Sequence, residues 1–311
     1  MTGVGRSSEV EHEITVAAPA AAVYRLIAEV GNWPRIFPPT IHVEHVERGE
    51  TEERIRIWAT ANGEVRNWVS RRVLDPAALR IEFRQEVSPP PIASMGGAWV
   101  IEPRGEAACR LRLLHDYRAI DDDPADLAGI AKAVDTNSRS ELAALKANLE
   151  AATRAEELTF SFEDTVRIDA SAQDVFDFVN EADRWAERLP HVASVRLDEP
   201  APGLQTLEME TRAKDGSTHV TKSYRVCLPA YKIAYKQVTL PALMALHTGY
   251  WTFRESGPGV LASSQHTVVL NPDNLADGMD VETAKKLVRD ALSTNSTATL
   301  NHAKSHAEAG R

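Results

Sequence analysis

Trp68-Val69-Ser70-Arg71-Arg72 places polar residues inside an apolar, alternating stretch. Residues two apart on a strand share a face, so Trp68, Ser70 and Arg72 point one way and Val69, Arg71 and Val73 the other. If the first set faces a cavity, it supplies an indole, a hydroxyl and a guanidinium in a row. A buried guanidinium is costly unless paired; facing a substrate, it polarises a carbonyl and stabilises the enolate or alkoxide that develops from it. Ser223 and Arg225 repeat the last two types later in the chain. His115 and His266 follow strand-like residues, and an imidazole in a cavity exchanges protons near neutral pH. Asp135, Asn137 and Asn295 sit in long helical patterns. Each of these also has a structural reading: Trp68 as core with Arg72 in a surface ion pair, the histidines as satisfied strand residues, the helix residues as solvated. Asp121, Asp122 and Asp123 read as a solvated turn before a helix. His42 and His45 would face opposite sides of a strand, so they predict no metal pair. Cys109 and Cys227 form no CxxC motif and read as free core thiols.

The elements that must position these residues occur twice. VEHEITVAAPAAAVYRLIAEVGNWPRIFP (10–38) returns about 152 residues later as FEDTVRIDASAQDVFDFVNEADRWAERLP (162–190), with Trp33 on Trp185 and Pro38 on Pro190. In order, WVSRR meets TKSYR, FRQ meets YKQ, GAW meets GYW, LLHDY meets SQHTV, and TNS recurs at 136–138 and 294–296. So long a period is a domain and not a solenoid repeat. The break is expected between 150 and 160. Within each copy, EHEITVAA alternates as a strand, and Val23, Leu26, Ile27 and Val30 have helical spacing. Asn32-Trp33-Pro34 should end that helix. Five or six alternating runs follow, with Asn62-Gly63 and Asp215-Gly216 placed as hairpin turns. A long helix closes each copy, with apolar stripes Leu127, Ile130, Val134, Leu142, Leu145, Leu149 and Val281, Leu287, Val288, Ala291, Leu292. A bent antiparallel sheet needs its concave face covered, and a long helix does so while leaving a cavity beneath it. The predicted fold is α+β: two tandem helix-grip domains, 1–155 and 156–311, each a curved antiparallel sheet wrapped around a long C-terminal helix.

Composition narrows the class of function. The 311 residues carry a net charge of −10, with 43% hydrophobic and 26% charged residues. That is ordinary for a globular protein. Without a basic run, no nucleic-acid partner is expected. The N-terminus has no apolar signal core and no stretch approaches a membrane span, so a cytoplasmic setting without membrane contact is expected.

NWPRIF (32–37), NWVSRR (67–72), IEFRQE (81–86), ASMGGAW (93–99), LLHDY (113–117) and VDTNSRSELAALK (134–146) resemble the polyketide aromatase/cyclases. These are a branch of the START-related helix-grip superfamily, and two linked copies resemble its two-domain subgroup. The resemblance implies a pocket for a poly-β-ketone on an acyl carrier protein, with other polyketide synthase subunits as partners and no cofactor or metal. It implies first-ring aldol closure between carbons 7 and 12, or dehydrative aromatisation of a ring already closed. The family's pocket arginine matches Arg72, with Ser70 and Trp68 beside it; its pocket His or Gln matches His115; its helix Asp or Asn matches Asp135. Thr40 stands where single-domain members have a tyrosine. A second pocket arginine falls at Arg84 or Gln85. Trp33, Trp99 and Asn137 complete the substrate contacts. In the second copy Arg225, Ser223 and His266 match, with Trp251 and Asn295 as contacts; Thr221 replaces Trp68 and Ser293 replaces Asp135. Two other readings remain open: a helix-grip carrier of a hydrophobic small molecule without chemistry, and a second copy that serves only as an interaction platform.

Overall fold

A computed structural model describes residues 7–61, 64–150, 156–212 and 216–309. Two compact units divide it, Met1–Ala152 and Thr153–Arg311. The first runs β1 (Ser8–Val16), α1 (Ala20–Ala28), α2 (Trp33–Ile36), β2 (Thr40–Arg48), β3 (Glu52–Ala61), β4 (Glu64–Asp75), β5 (Arg80–Val87), β6 (Ile92–Pro103), β7 (Cys109–Ala119) and α3 (Pro124–Glu150). The second runs β8 (Thr159–Ile168), α4 (Ala172–Asn180), α5 (Trp185–Arg188), β9 (Val192–Ala201), β10 (Leu204–Arg212), β11 (Thr218–Leu228), β12 (Lys232–Thr239), β13 (Met244–Ser256), β14 (Gly259–Leu270) and α6 (Val281–Ala309). Each unit is therefore a seven-stranded sheet with a long closing helix, the tandem helix-grip fold. The strand orders are β1-β7-β6-β5-β4-β3-β2 and β8-β14-β13-β12-β11-β10-β9, antiparallel throughout.

Alternation decides which face each strand buries. In β3, Ile55 and Ile57 are buried while Arg56 between them is exposed. On α3, Ile130, Val134, Leu142 and Leu145 are buried, and Ser138 lies in the same stripe. Among the described residues, the apolar side chains of the first unit form two separate clusters. One gathers α1, α2 and the far half of α3 around Leu142 and Leu145; the other joins Tyr117 and Ala119 to Ile130 and Val134. Space is left between them. Glycine sits where strand meets strand most closely: a Cβ on Gly97 would lie 1.8 Å from the Leu114 carbonyl oxygen, and one on Gly249 would lie 2.1 Å from that of Gln265. These glycines stand opposite His115 and His266 respectively.

Four sequence expectations need correction or bounding. Trp33-Pro34 does not end a helix but opens the turn α2, where proline's missing N–H costs nothing; α1 has already ended at Ala28. Leu287 and Ala291 are exposed, and the buried stripe of α6 is instead Ala284, Val288, Ser296, Thr299, Leu300 and Ala303. Asn62, Gly63 and Asp215 lie outside the described residues, while Gly216 has φ +85°, a value that favours glycine. The acidic run is more specific than a solvated turn, because Asp123 Oδ1 accepts from the Ala125 and Asp126 amides and so caps α3.

Candidate active site

Between α3 and the concave face of the first sheet lies a hollow of about 430 Å³. Trp33 and Phe37 line it from α2 and the residue after it, and Ile55, Ile57 and Ala59 from β3. Trp68, Ser70 and Arg72 line it from β4, so the strand presents the face that alternation predicts. Phe83, Gln85, Trp99 and His115 line it from β5, β6 and β7, and Asn137, Ser138 and Glu141 from α3. The aromatic walls brace one another: Phe37 meets Trp33 edge-on at 5.4 Å and stacks on Trp99 at 6.0 Å.

Arg72 is 1% exposed and its guanidinium is held on all sides. Nη1 donates to Glu53 Oε1 at 2.6 Å and to the Ala28 carbonyl at 3.2 Å, and Nη2 to the Ile27 carbonyl at 2.9 Å. These carbonyls belong to the C-terminal end of α1, the negative pole of a helix. The Trp33 ring lies 5.1 Å from the guanidinium carbon, within cation–π range. Burial lowers the Arg72 pKa to about 10 against the pull of Glu53, so it is a cation at neutral pH. Glu53 also takes His45 Nε2 at 3.0 Å. Arg72 thus enters the hollow with its charge already balanced. Ser70 Oγ is likewise engaged, donating to the Arg84 carbonyl at 3.3 Å.

His115 lies against Phe83 at 5.4 Å, and its buried Nδ1 has no hydrogen-bond partner among the described residues. Burial, then the nearby His12, lowers its pKa to about 4, which leaves a neutral imidazole. Glu141, absent from the sequence-based candidates, faces the hollow, and burial alone raises its carboxyl to about 7. A carboxyl poised there can give or accept a proton at neutral pH. The signal that could have found it is helical spacing: Val134, Asn137, Ser138 and Glu141 follow i, i+3, i+4, i+7.

Two predicted residues are placed elsewhere. Asp135 is one position off that stripe; its side chain is 50% exposed and bonds His12 Nε2 and Arg139 Nε, each at 2.9 Å, away from the hollow. Arg84 points to the outer face of the sheet, where it forms a bidentate pair with Asp116 at 2.6 and 2.9 Å. Its neighbour Gln85 faces the hollow and accepts from Ser88 at 2.7 Å. Thr40 is buried and lines the hollow.

The second unit encloses a hollow of about 120 Å³, lined by Thr221, Ser223, Arg225, Trp251, His266 and Asn295 among others. Arg225 donates Nη2 to the Val179 carbonyl at 2.7 Å and lies 5.2 Å from the Trp185 ring. Burial lowers its pKa. At the places where the first unit has Phe83, Met95, Leu113 and Glu141, the second has Tyr235, His247, Ser264 and Thr299, and all of these but Ser264 line the two hollows. A buried polar chain results. Ser264 Oγ is 3.0 Å from His266 Nε2, His266 Nδ1 is 3.0 Å from His247 Nε2, and His247 Nδ1 is 2.9 Å from Gln237 Oε1; Tyr235 Oη is 2.9 Å from His266 Nδ1. With Gln237 Oε1 accepting, every nitrogen is satisfied with both rings neutral. Burial lowers His247 to about 3 and His266 to about 4. His247 and Tyr235 were not among the sequence candidates. Ser293 donates to Asp164 Oδ1 at 2.8 Å, joining α6 to β8.

Among the described residues no group of three or more His, Cys, Asp or Glu side chains is placed to hold a metal ion, and no helix is long and apolar enough to cross a membrane. The family described as polyketide cyclase / dehydrase and lipid transport matches residues 7–150 and again 159–308. A granaticin polyketide synthase bifunctional cyclase/dehydratase from Streptomyces virginiae is 59% identical over 297 residues, 93% of this chain and 97% of the relative. An actinorhodin polyketide synthase bifunctional cyclase/dehydratase from Streptomyces coelicolor is 45% identical over 308 residues, covering 94% and 95%. Among solved structures, the di-domain ARO/CYC BexL of the BE-7585A biosynthetic pathway has a TM-score of 0.87 at 66% identity, covering 97% of this chain and 99% of its own. The di-domain ARO/CYC StfQ of the steffimycin pathway has a TM-score of 0.88 at 34% identity, covering 97% and 100%.

Proposed function

Because the chain belongs to the polyketide cyclase/dehydrase family, we propose that its first hollow folds a carrier-bound poly-β-ketone, closes one ring between carbons 7 and 12, and drives the loss of water that makes it aromatic. The protein is an aromatase/cyclase; the ring position, the carrier-bound form of the substrate and the residue roles are our assignment. We place it in the cytoplasm, beside an acyl carrier protein and other synthase subunits, with domains 1–155 and 156–311.

One observation carries the assignment: Glu141, whose carboxyl burial raises to about 7, and His115, whose buried Nδ1 has no hydrogen-bond partner among the described residues, line the same hollow. The volume of about 430 Å³ suits a folded chain. Indole and phenyl walls hold the chain bent, so the nucleophilic methylene and the acceptor carbonyl meet in one orientation. Intramolecular reactions so oriented reach effective molarities of about 10⁵–10⁸ M. Ring closure moves one proton from carbon to the alkoxide oxygen and needs no net acid or base. Dehydration then removes a proton from the adjacent carbon and adds one to the departing hydroxyl, which leaves as water. Glu141 is the general acid and base of both steps, alternating between carboxyl and carboxylate. Neutral His115 hydrogen-bonds the acceptor oxygen, and Gln85 and Asn137 orient further carbonyls. Arg72, already paired, is a positioning residue that fixes Trp33 and the end of α1. A carrier without chemistry needs the apolar walls but no carboxyl near neutrality.

The test is reconstitution of the full chain with a minimal polyketide synthase. Glu141→Gln should lower the correctly cyclised aromatic product by about 100-fold in favour of misfolded shunt products, with an unchanged circular dichroism spectrum. His115→Ala should act in the same direction. Unchanged product ratios in Glu141→Gln would remove the carboxyl from the chemistry.

A further inference from the structure

We infer that the second hollow is a binding site in its own right, for an organic monoanion about the size of one six-membered ring. The inference stands apart from the reaction assigned to the first hollow.

It begins with one difference between the copies. In the first, Arg72 and Glu53 are direct cross-strand partners on β4 and β3 and form a buried ion pair. In the second, the same register sets Arg225 opposite Gln205. Arg225 is as buried as its counterpart, at 2% exposure, and keeps the helix-end carbonyl and the tryptophan face. It has lost the carboxylate. Its buried Nη1 has no hydrogen-bond partner among the described residues, and neither has Gln205 Oε1. Gln205 Nε2 is turned away, donating to Asn180 at 3.3 Å and to the exposed Glu199 at 2.8 Å. An amide therefore stands between the guanidinium and that carboxylate.

Among the described carboxylates only the exposed Glu199 pulls on Arg225, from a distance, and a buried cation with no carboxylate in contact is costly, so a bound anion relieves it. Arg225 itself lines the hollow. Among the described lining residues there is no Asp or Glu, and His247 and His266 are held neutral by burial. No described side chain of the hollow supplies a negative charge. Ser223 and Asn295 add neutral polar groups to its wall.

Size and walls specify the remainder. A hollow of about 120 Å³ is too small for the extended chain suited to the first. An apolar cavity of about 150 Å³ admits benzene, so a hollow of about 120 Å³ takes at most one flat ring, its anionic oxygen group directed at Arg225. Trp185, Trp251, Leu207 and Met209 provide the apolar sides such a ring needs.

The experiment is a ¹⁹F NMR titration of the full chain with 4-fluorobenzoate, and with neutral 4-fluorobenzamide as comparison. Saturable binding of the benzoate, at least tenfold tighter than the benzamide, is expected. Gln205→Glu gives Arg225 the carboxylate that Arg72 already has, and should weaken benzoate binding at least tenfold. Thr221→Trp installs the side chain the first copy carries at that place, fills the hollow, and should also abolish binding without touching the Arg225 contacts. No saturable binding, equal binding of benzamide, or binding that survives both variants would overturn the inference. Ring-closure assays are read separately, so loss of the anion site and loss of the first hollow's chemistry are distinguishable.

Discussion

A guanidinium is only as available as its partners leave it, and Arg72 shows how much of that is invisible in a strand pattern. Its inward orientation follows from alternation with Trp68 and Ser70. Its neutralisation does not, because Glu53 comes from another strand and the two carbonyls from a helix end. Replacing Glu53 by Gln recreates the Gln205 arrangement in the first unit, while His45 loses its carboxylate too. Breaking a buried pair costs about 3–5 kcal/mol, and because the second unit folds with glutamine there, a loss near 3 kcal/mol in urea denaturation is expected. Arg72→Ala would strand Glu53 in the same way, so it reports on stability as well as chemistry. The helix residue shows the opposite lesson. Glu141 was legible from the periodicity of α3, but likeness to a family motif pointed to Asp135, which lies on a different side of the helix. Arg84 and Gln85 were separable in principle, since Phe83 and Gln85 must share a face; which face is concave depends on the bend of the whole sheet.

Strands and helices were read more securely than side-chain roles, because hydrophobic period and turn chemistry are local. The strands and closing helix of each copy follow from that reading, which left the strand count at six or seven; the order of the seven is set by pairing in the folded sheet. The errors lie where tertiary contact overrides period: Leu287 has the spacing of a buried residue yet is 50% exposed, while Ser296 and Thr299 take the buried stripe. The glycines recur in the GAW and GYW repeats, but their place opposite each pocket histidine is a matter of strand register. Gly97 lets β6 approach β7 so closely that a methyl group would strike the Leu114 backbone and lie 2.9 Å from the Phe83 ring. Gly97→Ala should therefore cost about 3 kcal/mol, with Phe83 and His115 displaced from the wall of the hollow. Thermal unfolding checks the first consequence. A changed His115 ring resonance in the NMR spectrum checks the second.

At the scale of the whole chain, duplication was plain from the ordered repeats, but the unequal hollows were not, since volume depends on how side chains meet in space. The buried titrating groups of the two units together set the response to pH. Glu141 has a folded pKa raised to about 7 from 4.5, so its contribution to stability is complete below pH 4.5 and is lost as pH rises through 7. His115, His247 and His266 are lowered from 6.5 to about 4, 3 and 4, so theirs is complete above 6.5 and lost as pH falls. Stability should peak near pH 6.5. Glu141→Gln should remove a loss of about 3 kcal/mol spread over pH 4.5 to 7, which steepens the acid limb and abolishes the fall above 6.5. Denaturant midpoints measured from pH 4 to 8 test both limbs. The paired hollows also amount to a design manual inherited within one gene. These wall positions carry two alternatives on the same scaffold, Phe83 or Tyr235, Met95 or His247, Glu141 or Thr299, so grafting one set onto the other asks each host wall only for residues its sister fold already accommodates.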